Sequence, residues 1–232
     1  MLLYSDLMLQ ISELLPQLKS QKSSLGEIIY LCNFVDCVFI KMMEKYHIIL
    51  GSQSPRRKEL IAGLNIPFEC IVIDVEETFP DTIAAEKVPE YLAKLKAAAY
   101  EHLLQENTII ITADTVVCLE NEILGKPKDA SDAKHMLHKL SGKTHEVITG
   151  VCITTCAETR TFSATTKVKF ASLSSDEIEF YVDKFQPMDK AGSYGIQEWI
   201  GYIGVESIEG SYFNVMGLPI QKLYTELKKI TL

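Results

Sequence analysis

The sequence predicts an α/β fold: a single compact domain in which helices flank a central mixed, twisted β-sheet. Short runs rich in β-branched residues alternate with helical patterns along the chain. Two long strand patterns then follow each other directly, which favours an antiparallel pair over a further βαβ unit. No internal repeat and no low-complexity linker divides this region. In such a sheet, a ligand is expected in the crevice at the strand ends.

The predicted strands differ in the strength of their patterns. The run TIIITADTVVCL gives the strongest signal, because it is dense in β-branched residues. The predicted strands cover residues 47–50, 68–75, 108–119, 146–156 and 159–170. The last two are expected to form the antiparallel pair.

The predicted helices are marked by their ends. The first has Ser54 as N-cap, Pro55 at its first position and Gly63 as its stop, and Pro89 opens the second. The predicted helices cover residues 54–64, 88–106, 129–142, 174–185 and 218–230. Two glycine-rich segments, AGSYGIQ and EGSYFNVMGLP, are predicted as loops.

The beginning of the chain differs from this α/β pattern. We divide the sequence into an N-terminal extension, residues 1–44, and a domain, residues 45–232. The extension predicts one or two helices with a break at residues 23–26, and the alternative is that Met43 is the natural start; both interpretations stay open. Its apolar runs are shorter than the roughly 20 residues of a membrane span, so no membrane association is expected.

Composition restricts the class of partner. A formal net charge of -8 argues against a general nucleic-acid binder, so any anion site must be local. The six cysteines are scattered and contain no C-x-x-C pair, which favours reduced thiols in a cytoplasmic protein over disulfides or a zinc site.

The stretch GSQSPRRKEL could bind an anion. A helix N-terminus presents unpaired backbone N–H groups, and Arg56 adds a bidentate donor suited to phosphate. The motif is not a Walker loop. On this local evidence alone, a capped surface helix with solvated cations is slightly favoured over an anion site.

Acids and lysines elsewhere have the chemistry of a phosphate site. Asp114 interrupts a β-rich run, so we favour a ligand of Mg²⁺ or Mn²⁺, or a proton acceptor, over a strand-end turn. At about 100° per residue, Lys96 lies about 40° from the buried stripe at Leu92, whereas Lys94 points away. Lys126 lies in a stiff Gly-Lys-Pro loop.

Eight motifs in order carry a family resemblance. They are SQSPRRKEL, EET, AKLKA, TADTVV, GKPKDASDA, LSGKTHEVITGV, DKAGSYGIQ and GSYFNVMGLP. In this order they resemble the Maf family of nucleotide pyrophosphatases, from Tyr46 to the C-terminus. For the stretch GSQSPRRKEL, the resemblance favours an anion site over a capped surface helix with solvated cations.

The resemblance implies hydrolysis of a nucleoside triphosphate at the α–β bond, with a divalent cation, Mg²⁺ or Mn²⁺. It makes Asp114 the proton acceptor, and Asp114 and Glu77 the metal ligands, Glu77 being preferred to Glu76. The implied substrate-binding positions are Arg56, Thr115, Gln197, Ser52, Lys96 and Lys126. The set Arg56, Thr115 and Gln197 is typical of the branch that acts on dTTP and UTP.

Alternatives stay open at this point. One is a nucleotide-binding regulator of cell division and septum formation that has lost turnover, and another is a phosphosugar-binding domain. Neither the order of preference among dTTP, UTP and modified pyrimidine nucleotides nor the choice between a monomer and a homodimer follows from the sequence.

Overall fold

The computed structural model describes residues 39–80 and 82–231. The chain divides into two units, residues 1–43 and 44–232. Of the first unit, residues 39–43 are described and are helical. The other helices predicted for the extension lie outside the described residues. The site and its framework belong to the second unit.

The strands of the second unit form one mixed sheet. They are β1 His47–Gly51, β2 Glu69–Cys70, β3 Thr108–Leu119, β4 Glu122–Leu124, β5 Thr144–Thr154, β6 Thr159–Phe170 and β7 Val205–Glu209. Their order is β2-β1-β3-β5-β6-β7, and β4 pairs with β3. The β1 strand is parallel to β2 and β3, and all other pairs are antiparallel. The prediction of a mixed sheet with an antiparallel late pair is confirmed.

Helices flank this sheet. They are α1 Pro55–Ala62, α2 Val88–Ala98, α3 Ala130–Leu140, α4 Ser175–Phe185, α5 Trp199–Gly204, α6 Tyr212–Met216 and α7 Ile220–Thr231. Ser54 caps α1, as predicted, and Ser174 caps α4 with a capping box. No helix in the described part of the chain is long and apolar enough to cross a membrane.

The strand predicted at residues 68–75 is wrong for most of its length. Only Glu69 and Cys70 pair with β1, because β1 ends one residue after its last partner and turns into α1. The backbone beyond finds a side-chain partner instead: the Tyr100 hydroxyl accepts from the amide of Ile73 and donates to the carbonyl of Ile71, both at 3.0 Å. This segment becomes a wall of the site.

The predicted loop EGSYFNVMGLP contains a helix. Its glycines lie outside α6 rather than within it, so they do not weaken the helix interior. Ser211 caps the first turn, and Gly217, with φ 114°, ends the helix in a left-handed conformation that favours glycine.

The packing of α2 on the sheet positions the site. Val88 and Leu92 of α2 pack with Val116 and Ile148 of the central strands. Gly150 of β5 lies directly beneath the start of α2, where a Cβ atom would overlap the backbone of Pro89 and Glu90. The helix therefore lies against the middle of β5, beside the position that pairs with Asp114 of β3.

Candidate active site

A cavity of about 530 Å³ opens where β1 ends. Its walls come from the turn into α1, the segment after β2, one face of α2, the middle of β3, and loops near residues 126, 189–197 and 215–217. This volume is within the range of small-molecule sites. All eight residues predicted for the site line this cavity: Ser52, Arg56, Glu77, Lys96, Asp114, Thr115, Lys126 and Gln197.

Asp114 lies in the middle of β3, within the strand predicted at residues 108–119 and not in a turn at its end. It pairs with Gly150 of β5. On the other side of β3, β1 ends at Gly51, opposite Thr112. Asp114 therefore lies just past the carboxyl end of the parallel neighbour, and the predicted crevice is present although the strand continues to Leu119.

The N-terminus of α1 forms the wall beside this gap. The Ser54 hydroxyl accepts from the amide of Arg57 at 3.4 Å, and the buried Ser52 hydroxyl accepts from the amide of Ser54 at 3.2 Å. Arg56 forms an ion pair with Asp189 at 3.0 Å. Its guanidinium is thus held at the mouth of the cavity beside the first turn of α1, where Pro55 has no N–H and the Ser54 and Arg57 amides already donate to serine hydroxyls.

Lys96 joins the two predicted carboxylates. Its ammonium lies 2.6 Å from Asp114 Oδ1 and 2.9 Å from Glu77 Oε1. Burial would raise the pKa of Glu77, but the hydrogen bond and charge of Lys96 outweigh burial and the net pKa is lowered. Lys94 is exposed, so the helical phase that separated the two lysines is confirmed.

Arg57 was missed as a site residue. It donates to the carbonyls of Gly217 and Ala113, both at 2.8 Å, and to the Thr115 hydroxyl at 3.0 Å. Burial lowers the pKa of its guanidinium, and the charge of Asp114 opposes this. A signal was present: Arg57 lies three and four residues before Leu60 and Ile61, the buried face of α1.

A chain of hydrogen bonds continues from Thr115 into the core. The Thr115 and Thr149 hydroxyl oxygens lie 2.9 Å apart. Thr149, which is fully buried, donates to the carbonyl of Asn214 at 3.1 Å. Nothing in the local sequence around Thr149 indicates this role, because its partners come from elements far away along the chain.

The loop before α5 carries Gln197. Gln197 Oε1 is buried and has no hydrogen-bond partner among the described residues. The loop is fixed by Glu198, which accepts from the Tyr181 hydroxyl and pairs with Lys190 at 3.1 Å. The Gly195 amide also donates to Tyr181. Gln197 is therefore held in place by its neighbours and keeps an unused acceptor.

Other titratable residues lie apart from these. In the described residues no group of three or more His, Cys, Asp or Glu side chains could hold a metal. The cysteines of the described region are free, and Cys118 and Cys152 are buried in strands as predicted. His135 and His138 are exposed on α3, as their spacing indicates.

Known proteins are similar to this chain over most of its length. A family model for Maf-like proteins matches residues 47–230. The chain belongs to the Maf family. This Maf chain is 59% identical to a protein of Phocaeicola vulgatus named dTTP/UTP pyrophosphatase, over 192 residues that are 82% of this chain and 100% of that protein. It is 56% identical to a protein of Bacteroides fragilis with the same name, over 81% of this chain and 98% of that protein.

A solved structure, the Ham1 protein of Staphylococcus aureus, resembles the Maf chain more weakly. It is 20% identical, covers 78% of this chain and 99% of its own, and superposes with a TM-score of 0.44. A score of this size adds nothing to the description of the fold given above.

Proposed function

We propose that the chain hydrolyses dTTP and UTP to the nucleoside monophosphate and pyrophosphate. Its relatives bear the name dTTP/UTP pyrophosphatase at 56–59% identity over nearly their whole length. One observation of the structure carries the proposal: the carboxylates of Asp114 and Glu77 face the same cavity as the N-terminus of α1 and five cationic side chains.

The cationic side of the cavity would bind the triphosphate. The positive end of the α1 helix dipole favours a phosphate, and the guanidinium of Arg56 offers a fixed bidentate donor for its oxygens. Lys126 is exposed on the opposite loop and lines the cavity, so it can approach from the other side. A local cluster of this kind neutralises a polyanion although the protein is acidic overall.

Asp114 would accept the proton of the attacking water. The water oxygen forms a bond to the α-phosphorus, the bond from that phosphorus to the bridging α–β oxygen breaks, and pyrophosphate leaves with both electrons. Asp114 is 7% exposed and lies beside the Lys96 ammonium. That cation holds the carboxylate in one orientation, which a general base requires.

The carboxylates of Asp114 and Glu77 suit a divalent cation. Both already converge on one cation, the ammonium of Lys96. Mg²⁺ and Mn²⁺ take oxygen ligands, and Mg²⁺ typically uses one or two carboxylates together with substrate phosphates. Two carboxylates are therefore sufficient, and when bound the ion would neutralise charge on the phosphates.

We further propose that residues 45–232 form the catalytic domain and that it acts in the cytoplasm without nucleic acid or membrane. The free cysteines of the described residues, of which Cys118 and Cys152 are buried, are compatible with a reducing compartment. Analytical sedimentation would decide whether the chain is a monomer or a homodimer. A regulator without turnover is not favoured, because Asp114, Glu77 and Lys96 are all present and in contact.

The deciding experiment is pyrophosphate release from canonical and modified nucleoside triphosphates, with Mg²⁺, with Mn²⁺ and with chelator. We expect release from dTTP and UTP that falls by at least about 1000-fold in Asp114→Asn, because the amide cannot accept the proton. Nucleotide binding by the variant serves as the folding control. Measurable binding with no release from any nucleotide by the wild-type protein would instead support the regulator.

A further inference from the structure

The Thr115 hydroxyl has a fixed hydrogen-bond polarity. Thr149 has one hydroxyl proton and donates it to the carbonyl of Asn214, which can only accept. The contact between Thr115 and Thr149 must then carry the proton of Thr115. Arg57 also donates to Thr115 and cannot accept in return. The Thr115 hydroxyl therefore uses its proton in the bond to Thr149, and its oxygen keeps a lone pair toward the cavity.

This arrangement is held from three sides. Thr149 is fully buried, so reversing its hydrogen bond would leave the Asn214 carbonyl without this donor. Two further bonds of Arg57, to the carbonyls of Gly217 and Ala113, fix the plane of its guanidinium. Neither Thr149 nor Asn214 lines the cavity, so a ligand meets only their effect on Thr115.

Gln197 lacks such a fixed polarity. A carboxamide carries a donor and an acceptor, and rotation by 180° exchanges them. With its amino group toward position 4 of the base, Gln197 matches the O4 acceptor of uracil or thymine. With its oxygen there, it matches the amino donor of cytosine. The buried, unpartnered Oε1 of Gln197 is ready for a ligand donor, but Gln197 alone does not exclude cytosine.

We propose that the Thr115 oxygen accepts the N3–H of uracil or thymine and rejects cytosine, whose N3 presents a lone pair. Thr149 is the positioning residue that sets this choice, through the hydrogen bond that it accepts from the Thr115 hydroxyl. The inference rests on the proposed function and specifies how its site selects among pyrimidine nucleotides. A mismatched lone pair facing a fixed acceptor leaves both groups unpaired, which is a stronger penalty than a lost contact.

The test is the Thr149→Val variant, which keeps the shape of the side chain and removes its hydroxyl. The proton of Thr115 is then free to turn toward a ligand. We expect the ratio of kcat/KM for UTP over CTP to fall by about tenfold or more. The triphosphate of the 2-pyrimidinone ribonucleoside has the N3 lone pair but no group at position 4. Its kcat/KM should rise in parallel with that of CTP.

Thr112→Val is the matched control. Thr112 lies on β3, is fully buried and donates to the Ala93 carbonyl at 2.6 Å, but it does not line the cavity. This variant loses a buried hydroxyl of the same kind and should keep the wild-type UTP-to-CTP ratio. A Thr149→Val ratio that also stays at the wild-type value would overturn the inference while leaving the proposed function intact.

A second measurement needs no variant. The wild-type protein should use 4-thio-UTP, which keeps N3–H, far better than the 2-pyrimidinone nucleotide, which lacks it. Equal use of the two would overturn the inference even if Thr149→Val does not fold. Failure of the proposed function has a different signature, no pyrophosphate from any nucleotide. In that case the dissociation constants of 4-thio-UTP and the 2-pyrimidinone nucleotide would test the polarity of the Thr115 hydroxyl. Equal values would count against the inference.

Discussion

Two lysines on α2, two residues apart, have opposite surroundings. The Lys96 side chain is 15% exposed, and its ammonium contacts both Asp114 and Glu77. Lys94 is exposed and points away from the cavity. Both have the same charge and the same local sequence, so only the helical phase distinguishes them. The pair therefore tests whether a charge acts through its position or through its presence alone.

At this scale we predict that Lys96→Met lowers pyrophosphate release from UTP by about 100-fold or more, because it removes a cation held against the general base and the phosphates. Lys94→Met is the matched control and should retain wild-type rates. Steady-state kinetics with both variants checks this, with circular dichroism as the test of folding. Similar losses in the two variants would mean that general charge attraction, and not the Asp114 contact, explains the effect.

Some residues of the site could be predicted and others could not, for a physical reason. Lys96 follows from the helical phase, and Arg57 could have been found in the same way, because both signals lie within one helix. Thr149 contacts the Thr115 hydroxyl and the Asn214 carbonyl, which are 34 and 65 residues away. Such long-range contacts leave no trace in the local pattern.

At the scale of elements, the distance between α2 and the sheet is the feature on which the site depends. Gly150 of β5 faces the backbone at Pro89 and Glu90, and it pairs with Asp114 across the sheet. The same close approach brings Lys96 to Asp114. The glycine is required here by the space that a neighbouring backbone occupies.

We predict that Gly150→Ala lowers the free energy of unfolding by about 1–3 kcal/mol, because its methyl group meets rigid backbone rather than a flexible side chain. Activity should fall as well, since α2 must move and take Lys96 with it. Thermal and urea unfolding measure the change. Gly125→Ala is the control for stability, as a Cβ there would meet nothing within 4 Å. Equal stability of the two variants would show that α2 moves without cost.

Element prediction succeeded where local chemistry decides the outcome. Ser54 caps α1 as predicted, and β3 has the predicted bounds. Element prediction failed where the outcome depends on a partner strand. Residues 71–75 have a strand pattern, but β1 ends too early to pair with them. The chain after Gly210 forms α6 because Ser211 and Gly217 act as caps, which outweighs the loop-like composition.

At the scale of the whole molecule, charge is distributed unevenly. The net charge is -8, yet cations line the cavity. One histidine is kept out of this balance: His145 of β5 is buried, bonded to the Tyr194 hydroxyl at 2.7 Å and packed edge-on against the rings of Phe170 and Tyr194. Burial lowers the pKa of His145 to about 4. Folding therefore requires a neutral imidazole in the core.

This burial makes stability depend on pH. Between pH 4 and the ordinary histidine pKa of 6.5, the unfolded chain binds a proton at His145 that the folded chain does not. The free energy of unfolding therefore decreases as pH falls. A contribution to it on the order of 3 kcal/mol is fully present above pH 6.5 and is lost toward pH 4.

We predict that His145→Gln flattens the dependence of the free energy of unfolding on pH in this window. Glutamine does not titrate and can still form a hydrogen bond with the Tyr194 hydroxyl, so the difference between variant and wild type isolates the imidazole. Urea unfolding at several pH values between 4 and 7.5 measures it. His138→Gln, at an exposed position on α3, should leave the wild-type slope unchanged. If the curves for His145→Gln and wild type run parallel, His145 has the same pKa in the folded and the unfolded chain and the burial argument is wrong.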